Sequence, residues 1–566
     1  VKVARWLLGL ALVLGLAISL SSPTEVAAQT QDPHAGPRVT GVVVDTQGEP
    51  VINARVQLLA GDGLFEEGTT QADGSFSINM PGSVLQGLKL VVERHHYQST
   101  TVPISERDLE GLTSEEALVL PTIELERRIT PAFWIATVIF IGMLLLIVLE
   151  KLHNALAALV GFSLLLTVSY LGEPLAPDVF IFDFLGALRY IDWNVIFLIM
   201  GMMIIIAVIE GTGIFHWLAF FAYQVSRGKA WLLMAILMLI TAITSAFLDN
   251  VTTMLLMTPI TVQIALAVGL NPLALLMPEV MASNVGGIIT LVGTPTNILI
   301  GSYASISFAG FLVNLTPGVI IALVGLFGYC MLIYRKELAT ATSGVSEVLY
   351  EKLRENAQIT QPENLRKAGW VGLAMLLLFL FGEQIHLLPA VTAILGATAL
   401  LVWIQPNIDE MIEAVDWTTL VFFMALFTVV GAIQEVGLVS VLAQWVAKLV
   451  GQSLPLAMIV VIWVSALLST VVANIPFTAA MLPVVGHLTN TVPGAGNMAL
   501  FFCLSVGSAM GGNGSLIGAS ANMVTAGIAE RVGYPITYRY FIRKGMPALM
   551  ITVLLATGWL LLHFLL

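Results

Sequence analysis

From residue 131 onward the chain is built of long apolar runs separated by short polar connectors, whereas over residues 38–124 apolar and polar positions alternate one by one. Runs such as "WIATVIFIGMLLLIVL" (134–149) and "ITVLLATGWLLLHFLL" (551–566) contain no Asp, Glu, Lys or Arg. They are long enough to cross a bilayer as helices and unlike the alternating strands of a membrane barrel. Spans are predicted near 131–150, 152–171, 193–210, 272–300 and 309–334, and again near 367–384, 388–404, 417–434, 496–525 and 545–566. Between the third and fourth span of each set lies an amphipathic stretch, followed by a double apolar segment at 230–268 and 454–488. The earlier region has period two: "RVTGVVVDTQGEPVINARVQLL" turns at "TQGEP", and "GTTQADGSFSINM" turns at "ADG". That pattern predicts an antiparallel β-sandwich over 38–124.

Composition agrees with the spans. The chain is 57% hydrophobic and 11% charged, where soluble domains carry roughly a quarter charged residues, so this is an integral membrane protein. A formal net charge of −12 argues against a nucleic-acid partner. Cys330 and Cys503 lie in apolar runs and suggest neither a disulfide framework nor a thiolate metal site. His34, His95 and His96 are too scattered for a metal centre and read as loop or strand positions.

At the start, Lys2 and Arg5 precede an apolar stretch and then the small residues Ala27 and Ala28. This reads as a secretory signal over 1–28, with an uncleaved first helix as the alternative. The connectors "EKLHN", "SRGKA", "YRKEL…ENLRK" and "RVGYPITYRYFIRK" are basic, whereas "GEPLAPDVFIFDFLGALRYID" carries four acids and one arginine. The positive-inside rule then puts the basic connectors, including 335–366, in the cytoplasm and the 38–124 unit outside. The expected location is the inner (plasma) membrane of a bacterium.

The two halves overlay with a shift of 224 or 225 residues. "DWNVIFLIMGMMIIIAVIEGTG" matches "DWTTLVFFMALFTVVGAIQEVG", and "SAFLDNVTTMLLMTP" matches "STVVANIPFTAAMLP". "SNVGGIITLVGTPTN" matches "SAMGGNGSLIGASAN", which pairs Gly293 with Gly518 and Asn297 with Asn522. An odd number of crossings per half, 131–334 and 367–566, forces the second copy to sit upside down. The expected fold is therefore an all-α polytopic membrane protein of inverted repeats behind an N-terminal β-sandwich. Inverted repeats are the architecture of secondary transporters, with sites at mid-membrane where the repeats meet.

The polar interruptions locate that site. "AFLDNVTT" is a tight polar tip between apolar arms and reads as a re-entrant hairpin rather than two ordinary spans; "VVANIPFT" is its mate. "TLVGTPTNILIG" and "SLIGASANMVTAG" break two spans with Gly, Pro and hydroxyl side chains. Such breaks are tolerated only against protein or a watery cavity. Freed carbonyls and Asn, Ser or Thr oxygens suit a hard cation such as sodium, and half-helix N-termini suit an anion. For Gly286 and Gly287, helix packing competes with a place in the break. Asp249 stands opposite Ala473 in the repeat, so one half-site carries a titratable or cation-binding carboxylate and the other only neutral dipoles. Asp249→Asn is accordingly expected to remove the pH dependence of transport. Glu210 reads as a span-end cap, and Glu279 as a residue near the start of a broken span.

"SAFLDNVTTMLLMTPIT", "EVMASNVGGIITLVGTPTNILI" and "GGNGSLIGASANMVTAGIAE" resemble the ion transporter superfamily, over about 131–566. Within it they are similar to the branch of arsenite permeases, D-type sodium/proton antiporters, the melanosomal P protein and citrate-transporter-like proteins. The resemblance implies a homodimer with a scaffold and a transport domain, two opposed hairpins and two broken helices. By similarity the substrate- and ion-binding residues are Asp249, Asn250, Ser283, Asn284, Gly293, Thr294, Thr296 and Asn297. In the second repeat they are Asn474, Thr478, Ser508, Asn513, Ser515, Gly518, Ser520 and Asn522. The first break reads "GTPTN" where the antiporter branch has an acidic "GDPPN". Over 38–124, Gly41, Asp45, Gly48, Pro50, Ala54 and Val56, then Thr70, Asp73, Gly74 and Phe76, resemble the carboxypeptidase regulatory-like (transthyretin-like) domain, an accessory module.

Three functions follow for comparison. The leading expectation is a transporter, not an enzyme, that moves a small anion or oxyanion on a sodium or proton gradient, with no cofactor and with lipid around it. The second is a sodium/proton antiporter. The third, a sensor that reads a ligand outside, needs a cytoplasmic signalling domain larger than 335–366. No GxxxxGK[ST] loop occurs, so any ATPase would be a separate chain.

Overall fold

The computed structural model describes residues 38–565 apart from 47, 62, 81–86, 105–116, 150, 340–350, 352–353 and 356. The expected signal segment, His34 and most of the connector after residue 339 lie outside the described residues. The chain forms two compact units, one ending at Arg128 and one beginning at Ile129.

The first unit is a small two-sheet sandwich. Strands β1 (Arg38–Asp45), β4 (Ser75–Asn79), β7 (Ala117–Val119) and β8 (Ile123–Leu125) make one sheet, in which β1 pairs with each of the others. The second sheet runs β3 (Gly63–Thr69), β2 (Arg55–Ala60), β5 (Leu88–Glu93), β6 (Thr100–Pro103). Alternation puts Val39, Val43, Val56, Leu58, Phe76 and Leu90 in the core between them. The sandwich is not wholly antiparallel as the alternation suggested, because β7 and β8 lie parallel to β1. Period two fixes which face a residue points to, but not the direction of its neighbouring strand. The "ADG" turn needs its glycine: Gly74 has φ +76°, and a β-carbon there would lie 2.5 Å from the Val43 carbonyl oxygen.

The second unit is helical and repeats itself. The first copy comprises α1 (Pro131–Val148), α2 (Asn154–Gly172), α3 (Trp193–Glu210), α4 (Ile214–Ser226), α5 (Ala230–Phe247), α6 (Asn250–Ala267), α7 (Leu273–Gly286), α8 (Pro295–Ala304) and α9 (Phe308–Ile333). The second comprises α10 (Pro362–Phe381), α11 (Pro389–Ile404), α12 (Trp417–Glu435), α13 (Leu438–Val450), α14 (Leu454–Leu468), α15 (Asn474–Thr491), α16 (Ala499–Gly511), α17 (Ser520–Arg531) and α18 (Tyr538–Leu565). Among the described residues nine helices are long and apolar enough to cross a membrane.

Packing exchanges the copies symmetrically. Helix α3 packs on α11 as α12 packs on α2, α6 packs on α17 as α15 packs on α8, and α9 packs on α18. Within each copy the first hairpin arm packs on the first half of the broken span, α5 on α7 and α14 on α16. The breaks fall where the glycines and prolines predicted. Helix α7 ends in a 3-10 turn at Gly287–Ile289, and α8 starts again at Pro295; α16 ends in Gly512–Gly514, and α17 starts at Ser520.

Each hairpin turns through only a few residues, Leu248–Asp249 in the first copy and Ser469–Ala473 in the second. Arms α5 and α6 have 18 residues each, about 27 Å of helix, so arm length alone would allow two full spans. What puts the tips inside is their bonding to the breaks.

Candidate functional site

Four helices begin at this centre: α6 and α15 after the hairpin tips, α8 and α17 after the breaks. Matching hydrogen bonds tie each tip to its own break. Ser245 Oγ donates to the Ser283 carbonyl at 3.0 Å, and its counterpart Ser469 Oγ to the Ser508 carbonyl at 2.7 Å. At the next residue of each tip, Thr290 Oγ1 donates to the Ala246 carbonyl, and Ser515 Oγ to the Thr470 carbonyl. Within each break one asparagine closes the unwound loop. Asn297 Nδ2 donates to the carbonyls of Ile288 (2.9 Å) and Thr290 (2.8 Å), and Asn522 Nδ2 to those of Gly512 (2.7 Å) and Ser515 (2.9 Å). These bonds satisfy carbonyls that the broken helices leave without intrahelical partners.

A buried amide network then joins the copies. Asn284 Nδ2 donates to Asn513 Oδ1 at 2.9 Å and to Asn522 Oδ1 at 3.0 Å, while Asn284 Oδ1 accepts from Asn250 Nδ2 at 2.9 Å. Asn513 Nδ2 continues to the Met281 carbonyl at 3.2 Å. On the other side Ser505 Oγ donates to Asn297 Oδ1 at 2.6 Å. All of these side chains are buried. Five of the sixteen residues expected from sequence, Asn250, Asn284, Asn297, Asn513 and Asn522, are thus in this two-sided network.

The others divide by role. Gly293 and Gly518 are required by close approach: a β-carbon on Gly293 would overlap the Gly287 carbonyl and lie 2.7 Å from that of Ser245. One on Gly518 would lie 3.0 Å from the Gly512 carbonyl. Gly286 serves helix packing, pressed on Ala242 of α5, and Gly287 belongs to the break. Ser283 donates to Ser245 Oγ. The hydroxyls of Thr478, Ser508 and Ser515 are spent on backbone carbonyls, and those of Thr294 and Thr296 face each other at 3.1 Å. Among the described residues, the side chains of Asn474 and Ser520 have no hydrogen-bond partner.

Asp249 is the N-cap of α6. It accepts from the backbone N–H of Val251 and Thr252, each at 2.9 Å, and from Thr252 Oγ1 at 2.5 Å. Its oxygens are therefore occupied by the first turn of its own helix. The caps of the other three, Ala473, Thr294 and Ala519, make no side-chain capping bond. Three helix N-termini without a side-chain cap, and one capped by an acid, thus begin at this centre; Pro295 offers no N–H, and the N–H groups of Asn297 and Asn522 already bond the Thr294 and Ala519 carbonyls.

Sequence reasoning missed Ser245, Ser469, Thr290 and Ser505. The first two are a repeat pair that opens the two quoted hairpin motifs and could have been found there; Ser505 has no such signal. A cavity of about 350 Å³ lies against the first break, lined by Val195, Leu198, Leu291, Ile298, Phe379 and Thr392 among others. None of the sixteen expected residues lines it.

Inverted copies, opposed hairpins and broken helices around one polar centre define a multi-pass membrane transporter. Residues 144–501 match the family model described as "Citrate transporter", and the chain belongs to that family, within the ion transporter superfamily. It is 36% identical to the "46 kDa membrane protein" of Mycobacterium leprae over 76% of this chain and 99% of that one. It is 32% identical to the human P protein over 81% of this chain and 63% of that one. Among solved structures, MtrF of Neisseria gonorrhoeae shares the fold with a TM-score of 0.50 at 11% identity, covering 73% of this chain and 96% of MtrF.

Proposed function

We propose that the protein is a secondary transporter that moves a small anion or oxyanion by alternating access, driven by a sodium or proton gradient. The observation that carries this reading is the set of three uncapped helix N-termini around neutral amides. Each helix N-terminus presents roughly half a positive charge and free N–H donors. Helices α5–α8 contain no Lys or Arg, so the dipoles, not fixed cations, would attract the anion and release it again. Asp249 caps the fourth N-terminus, that of α6, and leaves α17 uncapped in the same helix pair and α8 and α15 uncapped in the other. The unspent amide of Asn474 and hydroxyl of Ser520 are the first donors we assign to substrate.

The basic connectors favour the inner membrane of a bacterium, with the β-sandwich outside as an accessory module and the transporter a homodimer in lipid. Flux into proteoliposomes, measured for citrate, sulfate, arsenite, chloride and sodium under separate sodium and pH gradients, tests the function. Gradient-driven uptake of one of the anions is expected. Sodium uptake coupled to proton efflux with no anion present would replace this reading with the antiporter.

A further inference from the structure

Glu279 lies on α7 and is 1% exposed. Its Oε1 accepts from Thr261 Oγ1 of α6 at 2.9 Å. Its Oε2 has no hydrogen-bond partner among the described residues, and neither do the buried hydroxyls of Thr241, Thr253 and Thr258. The Thr241 hydroxyl, on α5, also faces the carboxyl. Thr241 is four residues before Ser245, and Glu279 four before Ser283. The pair therefore lies one helical turn, about 6 Å, along the seam whose next rung ties the hairpin tip to the break. Asn284, the centre of the amide network, follows on the same helix.

Among the described residues no charged group faces this acid. Helices α5 and α6 carry no titratable side chain. The titratable groups on the other helices packed against α7 do not act on it. These are Tyr329 and Cys330 on α9, Cys503 on α16, Glu530 and Arg531 on α17, and Tyr538, Arg539, Tyr540, Arg543, Lys544 and His563 on α18; only Thr261 and Thr241 face it. Burying an unpaired carboxylate is strongly unfavourable, and a proton removes that cost.

Packing does not need the acid. The repeat places Leu504 where Glu279 stands, Val485 where Thr261 stands and Leu482 where Thr258 stands, all fully buried or nearly so. The same frame thus closes over aliphatic side chains at these three positions in the second copy, where only Thr241 keeps a hydroxyl counterpart, Ser465. Acid and hydroxyls occur together in the first copy alone, which points to a use and not to a packing demand.

We propose that Glu279 is the proton-carrying site of this transporter, loaded and emptied as the α5–α7 seam moves with the amide centre. This deepens the proposed function and rests on it for the coupling, while reassigning to Glu279 the titration that the sequence suggested for Asp249. Loading forms one O–H bond at a carboxyl oxygen with a proton delivered by water, and emptying returns that proton to water; no other reactant is involved.

The test uses the reconstituted full-length protein with Glu279→Gln and with Glu279→Leu, which copies the second repeat. Infrared difference spectra over a pH titration are expected to show a buried protonated-carboxyl band in the parent that both variants lose. Both variants should elute as the parent does in size exclusion, since Leu504 already fills this position in the other copy. Citrate and sulfate uptake driven by a pH gradient should be lost in both variants, while exchange of the same anion without a gradient continues. A band that survives in either variant, or gradient-driven uptake that survives, overturns the assignment. If no anion of the panel moves in the parent under either gradient, the transport reading fails, and the infrared band still decides whether Glu279 binds the proton.

Discussion

Replacing Asn284 by alanine should be the most damaging single change in the amide network. Asn284 is 2% exposed and makes three side-chain hydrogen bonds, two as donor and one as acceptor. Asn284→Ala leaves Asn513 Oδ1, Asn522 Oδ1 and Asn250 Nδ2 unpaired at once. A buried polar atom without its partner costs about 1–3 kcal/mol, so three give a ceiling near 9 kcal/mol. Water entering the emptied polar space lowers this, and an expected loss of about 3–5 kcal/mol remains. Asn250→Ala breaks one of the same bonds and should cost about 1–2 kcal/mol. Because the two share a bond, the double variant should fall short of the sum by about 1 kcal/mol. Reversible unfolding in mixed micelles measures all three, with Asn364→Ala as control. Asn364 bonds Gln361 at an exposed position, so its loss should stay within about 0.5 kcal/mol. A loss below about 1 kcal/mol for Asn284→Ala, or strict additivity with Asn250→Ala, would refute a dry, shared network.

Other outcomes are fixed by the same geometry. Gly293→Ala should destabilise by about 1–3 kcal/mol through overpacking, whereas Gly369→Ala, whose β-carbon would meet nothing within 4 Å, should leave the unfolding midpoint close to the parent's. Ser469→Ala should cost about 1 kcal/mol, and Ser245→Ala more, because it also leaves Ser283 Oγ without its acceptor; a smaller loss at Ser245 than at Ser469 would count against this bonding. In the β-sandwich, Ser75 Oγ and its backbone N–H bond Asp73 at 2.6 and 3.0 Å and hold its carboxyl below the usual carboxylate range. A lowered carboxylate stabilises above its unfolded pKa and loses that contribution as pH falls through the folded one. Ser75→Ala should therefore raise the Asp73 midpoint, as followed by its carboxyl chemical shift, and bring the acid-induced loosening of this turn to higher pH.

Much of the transporter's frame was legible in its sequence because hydrophobic period and repetition are properties of the chain itself. The breaks at 287–294 and 512–519 could be read from Gly293, Pro295 and Gly518 because they cluster with further glycines and hydroxyl residues, whereas single prolines such as Pro259 and Pro317 stay inside helices. Pairings such as Ser505 with Asn297, or Asn284 with Asn513 and Asn522, join residues more than 200 positions apart. They depend on how inverted copies interlock, which no local pattern records. Asp249 also carries a structural signal: its spacing to Thr252 is that of a helix cap, which the structure forms. The parallel β7 and β8 escaped because alternation is blind to strand direction.

Access to the hairpin tip from the two sides of the membrane tests the central claim most directly. Ala473 caps α15 without a side-chain bond, so Ala473→Cys, made in a chain with Cys330 and Cys503 replaced by serine, introduces one thiol at the centre with little disturbance. A membrane-impermeant thiol reagent should reach it from one face at a time, and the reactive face should exchange when the ion gradient is reversed. Reaction from neither face under any gradient, or from one fixed face under all of them, would contradict a polar centre that two inverted copies share and expose alternately.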